Sequence, residues 1–205
     1  VGGDDTSAAR GKETTKSAGF SDVYASGIVW FMGFIYTAFG FSYIIYMTFF
    51  FKHLIAAGGY SSEAAGNLFM LVGWLSLFCG VLWGSVSDRI GRRYALAMVY
   101  ALQAVSFALF GLATVPAGFI VSAVLFGITA WSIPAVMAAA CGDILGPRMA
   151  PAALGFITLF FGIGQAAAPS VAGWIADVTG SFNPAFLLAA GVAAAGGIGS
   201  LFLRD

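Results

Sequence analysis

Six apolar runs, each near the length that a bilayer-crossing helix needs, leave this chain few folds to choose from. They cover 24–51, 67–86, 94–114, 118–140, 152–176 and 184–203, and a span takes about 20 residues. Inside a bilayer no water satisfies the backbone N–H and C=O groups, so only helices and closed barrels cross it. None of the runs alternates polar and apolar residues as a barrel strand does. The sequence therefore predicts an all-α membrane protein, a bundle of six transmembrane helices. Charge agrees: 9% of the residues are charged, against about 25% in a soluble domain, too few to cover a water-facing surface.

At the junction of the second and third runs lies a dense polar stretch, Gly84-Ser85-Val86-Ser87-Asp88-Arg89-Ile90-Gly91-Arg92-Arg93. Its charges do not belong in hydrocarbon, so it predicts a tight aqueous turn between two helices. Gly84 is expected where helices approach, and Gly91 where a sharp reversal needs left-handed backbone. Asp88 is expected to accept hydrogen bonds from exposed N–H groups at a neighbouring helix start. Arg89, Arg92 and Arg93 would hold the turn in the cytoplasm.

The stretch resembles the G-x-x-x-D-R-x-G-R-R signature that the major facilitator superfamily of secondary transporters carries in a cytoplasmic loop. Gly84, Asp88, Arg89, Gly91, Arg92, Arg93 and the trailing Leu96 match it. Val86 and Ser87 stand where the family more often has Leu and Ala. A generic positive anchor explains the arginines but not the Gly/Asp/Gly spacing. The resemblance implies two six-helix bundles that rock about a midplane cavity, with the matched residues acting at the inward gate.

Lys and Arg set the expected orientation. With the N-terminus inside, Arg10, Lys12, Lys16, Arg89, Arg92, Arg93, Arg148 and Arg204 are cytoplasmic and Lys52 alone is outside. Both ends of the segment are then cytoplasmic, in a multi-pass protein of the plasma (inner) membrane. Residues 1–22, rich in Gly, Ser, Thr and Ala, have no apolar period and are expected to be a flexible cytoplasmic linker. A chain that opens on Val1 is expected to be a piece of a longer one.

The leading linker is similar to the family's central loop, and the fourth run lacks the buried Arg often found in the first half. The segment Gly162-x-Gly164-Gln165-x-x-x-Pro169-x-x-x-Gly173-x-x-x-Asp177, followed by Thr179-Gly180-Ser181-Phe182, resembles the family's eleventh helix and the turn after it. On that resemblance residues 23–205 are helices seven to twelve, the C-terminal half. Their partner is an N-terminal six-helix half of the same protein.

Helical periodicity groups the candidate solute-path residues. Gly33, Tyr36, Gly40, Tyr43 and Met47 share a face of the first run, with Tyr46 and Thr48 beside it. Gly155, Thr158, Gly162, Gln165 and Pro169 share a face of the fifth. Gln165 carries a full amide near mid-bilayer, costly unless it meets a partner or a water-filled cavity. The resemblance places this helix against the central cavity, which favours a role for Gln165. Tyr36, Tyr43, Tyr46, Gln165 and Thr158 are thus the expected lining of the path. Hydroxyls on the fourth run, and Gln103 and Ser106 on the third, read as interhelical glue. A small-residue seam, Gly66, Gly73, Gly80 and Gly84, reads as a packing surface.

Other classes find little support. Cys79 and Cys141 lie in apolar runs without a CxxC or His partner, so neither a disulfide nor a metal site is expected. One His and two scattered Cys offer no clustered nucleophile, base or metal ligands: no enzyme and no cofactor. Net charge is zero, so nothing points to nucleic acid. The expectation is transport of a small organic solute across the lipid bilayer by alternating access. The alternatives are a non-transporting receptor or assembly module, and a half-size carrier working as a homodimer. No charge falls at the centre of any run, so ion coupling, where present, is expected in the partner half.

Overall fold

The computed structural model describes residues 20–203. The expected linker falls outside them as far as residue 19, with Arg10, Lys12 and Lys16, and so does Arg204. The last linker residues instead begin a short helix, α1 (Phe20–Ala25).

Every described element is a helix. The first run forms α2 (Gly27–Ala56), and the second forms α3 (Ser62–Ser76) and α4 (Cys79–Ile90). The third forms α5 (Arg92–Leu112), and the fourth α6 (Pro116–Gly127) and α7 (Ser132–Leu145). The fifth and sixth form α8 (Ala150–Thr179) and α9 (Asn183–Ser200). Five spans are long and apolar enough to cross a membrane, counting α6 and α7 together. The pair α3 and α4, bent by 42° at its break, makes the sixth. The described residues form an all-α bundle with five to six helical segments long and apolar enough to cross a membrane.

Local chemistry sets the ends. Ser61 caps α3, its hydroxyl accepting the Ala64 N–H at 3.1 Å. Proline sits in the first turn of α6, α8 and α9, where its missing N–H costs nothing. The expected turn at 84–93 is shorter than its sequence implied. Helix α4 runs through Asp88 and Arg89 to Ile90, and the reversal falls on Gly91 alone, at φ 92°. That backbone is open to glycine and strained for other residues.

Helix α2 is the spine, lying along both α8 and α9, while α5 packs on α9 and α6. Glycines allow the closest approach. A Cβ on Gly40 would meet the Phe161 carbonyl, and one on Gly164 the Thr37 carbonyl at 2.5 Å. The Thr37 hydroxyl donates across this seam to the Phe160 carbonyl at 3.2 Å. Gly196 and Gly197 lie against the ring of Tyr100, whose hydroxyl donates to the Ile35 carbonyl at 2.6 Å. Helix α8 covers little of itself: Leu159, Ile163, Trp174 and Val178 are each 64–67% exposed. On the expected seam of α3 and α4 a Cβ on Gly80 would lie 3.8 Å from Ala135 of α7, whereas one on Gly66, Gly73 or Gly84 would meet nothing within 4 Å among the described residues.

Candidate functional site

Two groups of polar side chains stand out from this apolar bundle, at different depths.

The first forms because α4 stops at Gly91 and α5 starts at Arg92, turning the Arg92 side chain back along α4. Its Nη1 donates to Asp88 Oδ1 at 2.6 Å and to Ser87 Oγ at 2.5 Å, while Nε donates to Asp143 Oδ2 on α7 at 2.7 Å. The Ser87 hydroxyl passes its own proton to the Gly84 carbonyl at 2.8 Å. One guanidinium thus ties α4, α5 and α7 together. A cavity of about 230 Å³ opens beside it, lined by Asp88, Gly91, Arg92, Asp143, Ile144 and Leu203 among others. The two carboxylates are 63% and 58% exposed, and ion pairs of that kind contribute about 0–1 kcal/mol. This clasp is specific in geometry and cheap to open.

The motif residues divide. Asp88 pairs with the Arg92 side chain at the start of α5. Gly84 offers a carbonyl to Ser87 and faces open space rather than a close helix. Arg89 is exposed on α4. Arg93 donates from Nη2 to the Tyr94 hydroxyl at 3.1 Å and lies over that ring. Asp143 is the member that the motif did not supply. It is the sole acid in Ser132–Leu145, at the same membrane boundary as the arginines, and that boundary position was its signal.

The second group lies where α2 meets α8. Gln165 Nε2 donates to the Tyr43 phenol oxygen at 2.6 Å. Phe161 stacks on Tyr36, Phe39 and Tyr43, with centroids 5.0–5.8 Å apart. Trp131, 44% exposed, meets Tyr43 edge-on at 5.7 Å. Beside Trp131 a cavity of about 170 Å³ is lined by Met47, Phe69, Val72, Gly73 and Ser76 among others. Thr158, two turns from Gln165 on α8, is exposed and donates to the Leu154 carbonyl of its own helix at 2.6 Å. Phe161 and Trp131 are additions to the expected set; Phe161 lies beside Gly162 on the face already singled out, and Trp131 lies at the break of the fourth run.

Tyr46 does not join them. It is fully buried, its hydroxyl 2.9 Å from Ser122 Oγ and its ring among Phe50, Phe107, Phe110 and Phe126. Tyr43 and Tyr46 are a turn apart, yet the helix between them turns one towards α8 and the other into the core. Ser122 also exchanges hydrogen bonds with Ser106, and Gln103 Nε2 donates to the Thr129 carbonyl at 3.1 Å. These polar groups are glue between α5 and α6, as expected. Among the described residues, no three His, Cys, Asp or Glu side chains come together as metal ligands.

With a guanidinium clasp at one boundary and a phenol–amide pair deep in a six-span bundle, the comparison with known proteins is decisive. The family model described as "Uncharacterised MFS-type transporter YbfB" matches residues 9–201. The chain belongs to this family. Among curated relatives it is 26% identical to monocarboxylate transporter 12 of Xenopus laevis over 137 residues, 63% of this chain and 29% of that protein. It is 31% identical to monocarboxylate transporter 10 of Rattus norvegicus over 129 residues, 60% of this chain and 24% of the relative. A hexuronate transporter of Bacillus subtilis (strain 168) matches at 25% over 177 residues, 80% of this chain and 42% of that protein. The chain thus spans between a quarter and two-fifths of these relatives' lengths. Within this major facilitator family the motif at Gly84–Arg93 and the bundle around it have transporters, not enzymes, as their named kin.

Proposed function

We propose that the chain is the C-terminal six-helix half of a carrier that moves a small organic solute by alternating access, paired with an N-terminal six-helix half. One observation carries the reading: the Gln165–Tyr43 hydrogen bond lies beside a helix, α8, that this bundle leaves largely uncovered. An amide on such a helix in a membrane protein borders either a second protein surface or a water-filled path. The open glycine faces of α3, α4 and α8 support a second bundle there, since Gly155, Gly162 and Gly173 also meet nothing within 4 Å. Small residues let membrane helices approach closely.

Tyr36, Tyr43, Gln165 and Thr158 line the solute path in this reading, with Trp131 and Phe161 as aromatic walls. Tyr46 is left out, because it has no access to it. Phenol and amide groups recognise a carboxylate or hydroxyl without adding charge. The names of the relatives, carriers of monocarboxylates and of a hexuronate, agree with a small carboxylate-bearing solute. Arg92, with Asp88, Ser87 and Asp143, is the inward latch. The excess of arginines at that end supports its being cytoplasmic.

Counterflow into proteoliposomes holding the full-length protein tests this, with labelled monocarboxylates and hexuronates as the panel. Accumulation of at least one of them, lost in Gln165→Leu, is expected. A folded protein that accumulates none contradicts the reading, and a second copy of the same chain as partner would show as six-span homodimers.

A further inference from the structure

The second and fourth spans are both broken, and their breaks meet. The second breaks at Leu77–Phe78 between α3 and α4, and the fourth at Ile128–Trp131 between α6 and α7. Broken helices leave backbone groups without intrahelical partners, and here each span supplies partners for the other. The Trp131 N–H donates to Cys79 Sγ at 3.3 Å, and the Ser132 hydroxyl to the Cys79 carbonyl at 3.4 Å. Trp83 Nε1 donates to the Ile128 carbonyl at 2.9 Å. From α5, Gln103 Nε2 reaches the Thr129 carbonyl at 3.1 Å, while its Oε1 is buried with no partner. Outside the junction an apolar cleft of about 320 Å³ is lined by Trp74, Leu75, Phe78, Cys79, Leu82 and Ile128.

The far ends of α4 and α7 are alike as well. Each stops on a glycine at positive φ, Gly91 at 92° and Gly146 at 77°. Between their breaks and these glycines the two helices pack side by side, so that a Cβ on Gly80 would lie 3.8 Å from that of Ala135. They are joined at one end through Cys79 and at the other through Arg92, which accepts neither helix as its own but bonds Asp88 of α4 and Asp143 of α7 from the start of α5.

We propose that α4 and α7 form one rigid unit, hinged at the paired breaks and at the two glycines, which couples Trp131 on the solute face to the Arg92 latch. A change in the packing of Trp131 on Tyr43 passes through the Cys79 contacts into the unit and moves Asp88 and Asp143 relative to Arg92. The cleft at the junction gives the breaks room to bend without displacing packed side chains. The orphaned Gln103 Oε1 belongs to the same device. A buried amide oxygen left unsatisfied in one arrangement gains a donor when the neighbouring break re-forms its hydrogen bonds. The latch side of this inference rests on the proposed role of Arg92.

Spin-label distances in the full-length protein in lipid test it, on a Cys79→Ser, Cys141→Ala background that keeps an acceptor at position 79. One pair lies within the unit, Ser85→Cys with Ala139→Cys. Two pairs cross the breaks, Trp74→Cys with Ser85→Cys and Val121→Cys with Ala139→Cys. Opening the latch with Arg92→Gln is expected to give both crossing pairs a second resolved population while the pair within the unit keeps one unchanged distance. Asp143→Asn, which leaves the Arg92–Asp88 pair in place, is the second variant and is expected to shift the crossing pairs in the same direction. Crossing distributions that superimpose on the parent overturn the proposal, and so does a pair within the unit that spreads with them. The measurement needs no solute, so its failure leaves the carrier reading standing, whereas absent counterflow strikes that reading whatever the hinge does.

Discussion

Gln165 and Tyr43, 122 positions apart, share a 2.6 Å hydrogen bond at the seam between α8 and α2. Hydrogen bonds between membrane helices contribute on average about 0.6 kcal/mol, so this pair adds little to holding the fold together. We expect Tyr43→Phe and Gln165→Leu to lower stability by about 0.6 kcal/mol each and non-additively, while transport falls at least tenfold. Reversible unfolding in mixed micelles beside initial uptake rates separates the two effects. Equal losses in both would reduce the pair to packing.

The clasp at Arg92 predicts a similar separation. Both carboxylates are more than half exposed, so Asp143→Asn should cost under about 1 kcal/mol of stability. Asp88→Asn should behave likewise, with insertion and fold intact. Transport by either variant is expected to fall severalfold. Unchanged uptake by a correctly inserted Asp88→Asn protein counts against a gating role.

Tyr46 predicts the reverse pattern. Its ring is wholly enclosed by aromatic neighbours, so Tyr46→Ala should destabilise by about 3–5 kcal/mol. Tyr46→Phe loses only the bond to Ser122, about 0.5–1.5 kcal/mol. Solute preference in competition assays should be the same for Tyr46→Phe and the parent.

Two glycines on α8 two residues apart make a matched pair of controls. A side chain at Gly164 collides with the Thr37 carbonyl, whereas one at Gly162 meets open space. Gly164→Ala should cost about 1–3 kcal/mol as the helices are forced apart. Within this bundle Gly162→Ala should cost nothing and gain up to about 1 kcal/mol of helix propensity, so a loss of stability in the full-length protein would report contact with the proposed second bundle. Chemical unfolding of both variants reads this directly.

The spans were legible because length and apolarity suffice to identify them, and each expected run coincides with a helix or helix pair. The breaks were not. Leu77–Phe78 contains neither Gly nor Pro, and the next residue, Cys79, takes hydrogen bonds from Trp131 and Ser132 of another span, a partnership that periodicity does not carry. The motif announced Arg92 and Asp88 but not Asp143, since the third member lies on a different helix. Tyr46 was misplaced for a related reason. Helix α2 is apolar all round and buried on several sides, so spacing alone does not tell which of two neighbouring phenols faces the core and which faces α8. Of the expected seam Gly66, Gly73, Gly80 and Gly84, only Gly80 meets a neighbour among the described residues, Ala135 of α7, because small-residue spacing marks a face without saying which helix lies on it.

The account turns on whether the Gln165 face of α8 borders water. Thiol accessibility at Thr158→Cys and Gln165→Cys in the full-length protein, read with a small membrane-impermeant reagent, is the most direct measurement. Both cysteines should react from the aqueous phase, and the carboxylate that gives counterflow should slow the reaction at position 165. A folded protein whose Gln165→Cys thiol is unreactive, or reacts at a rate indifferent to that solute, would contradict the solute path.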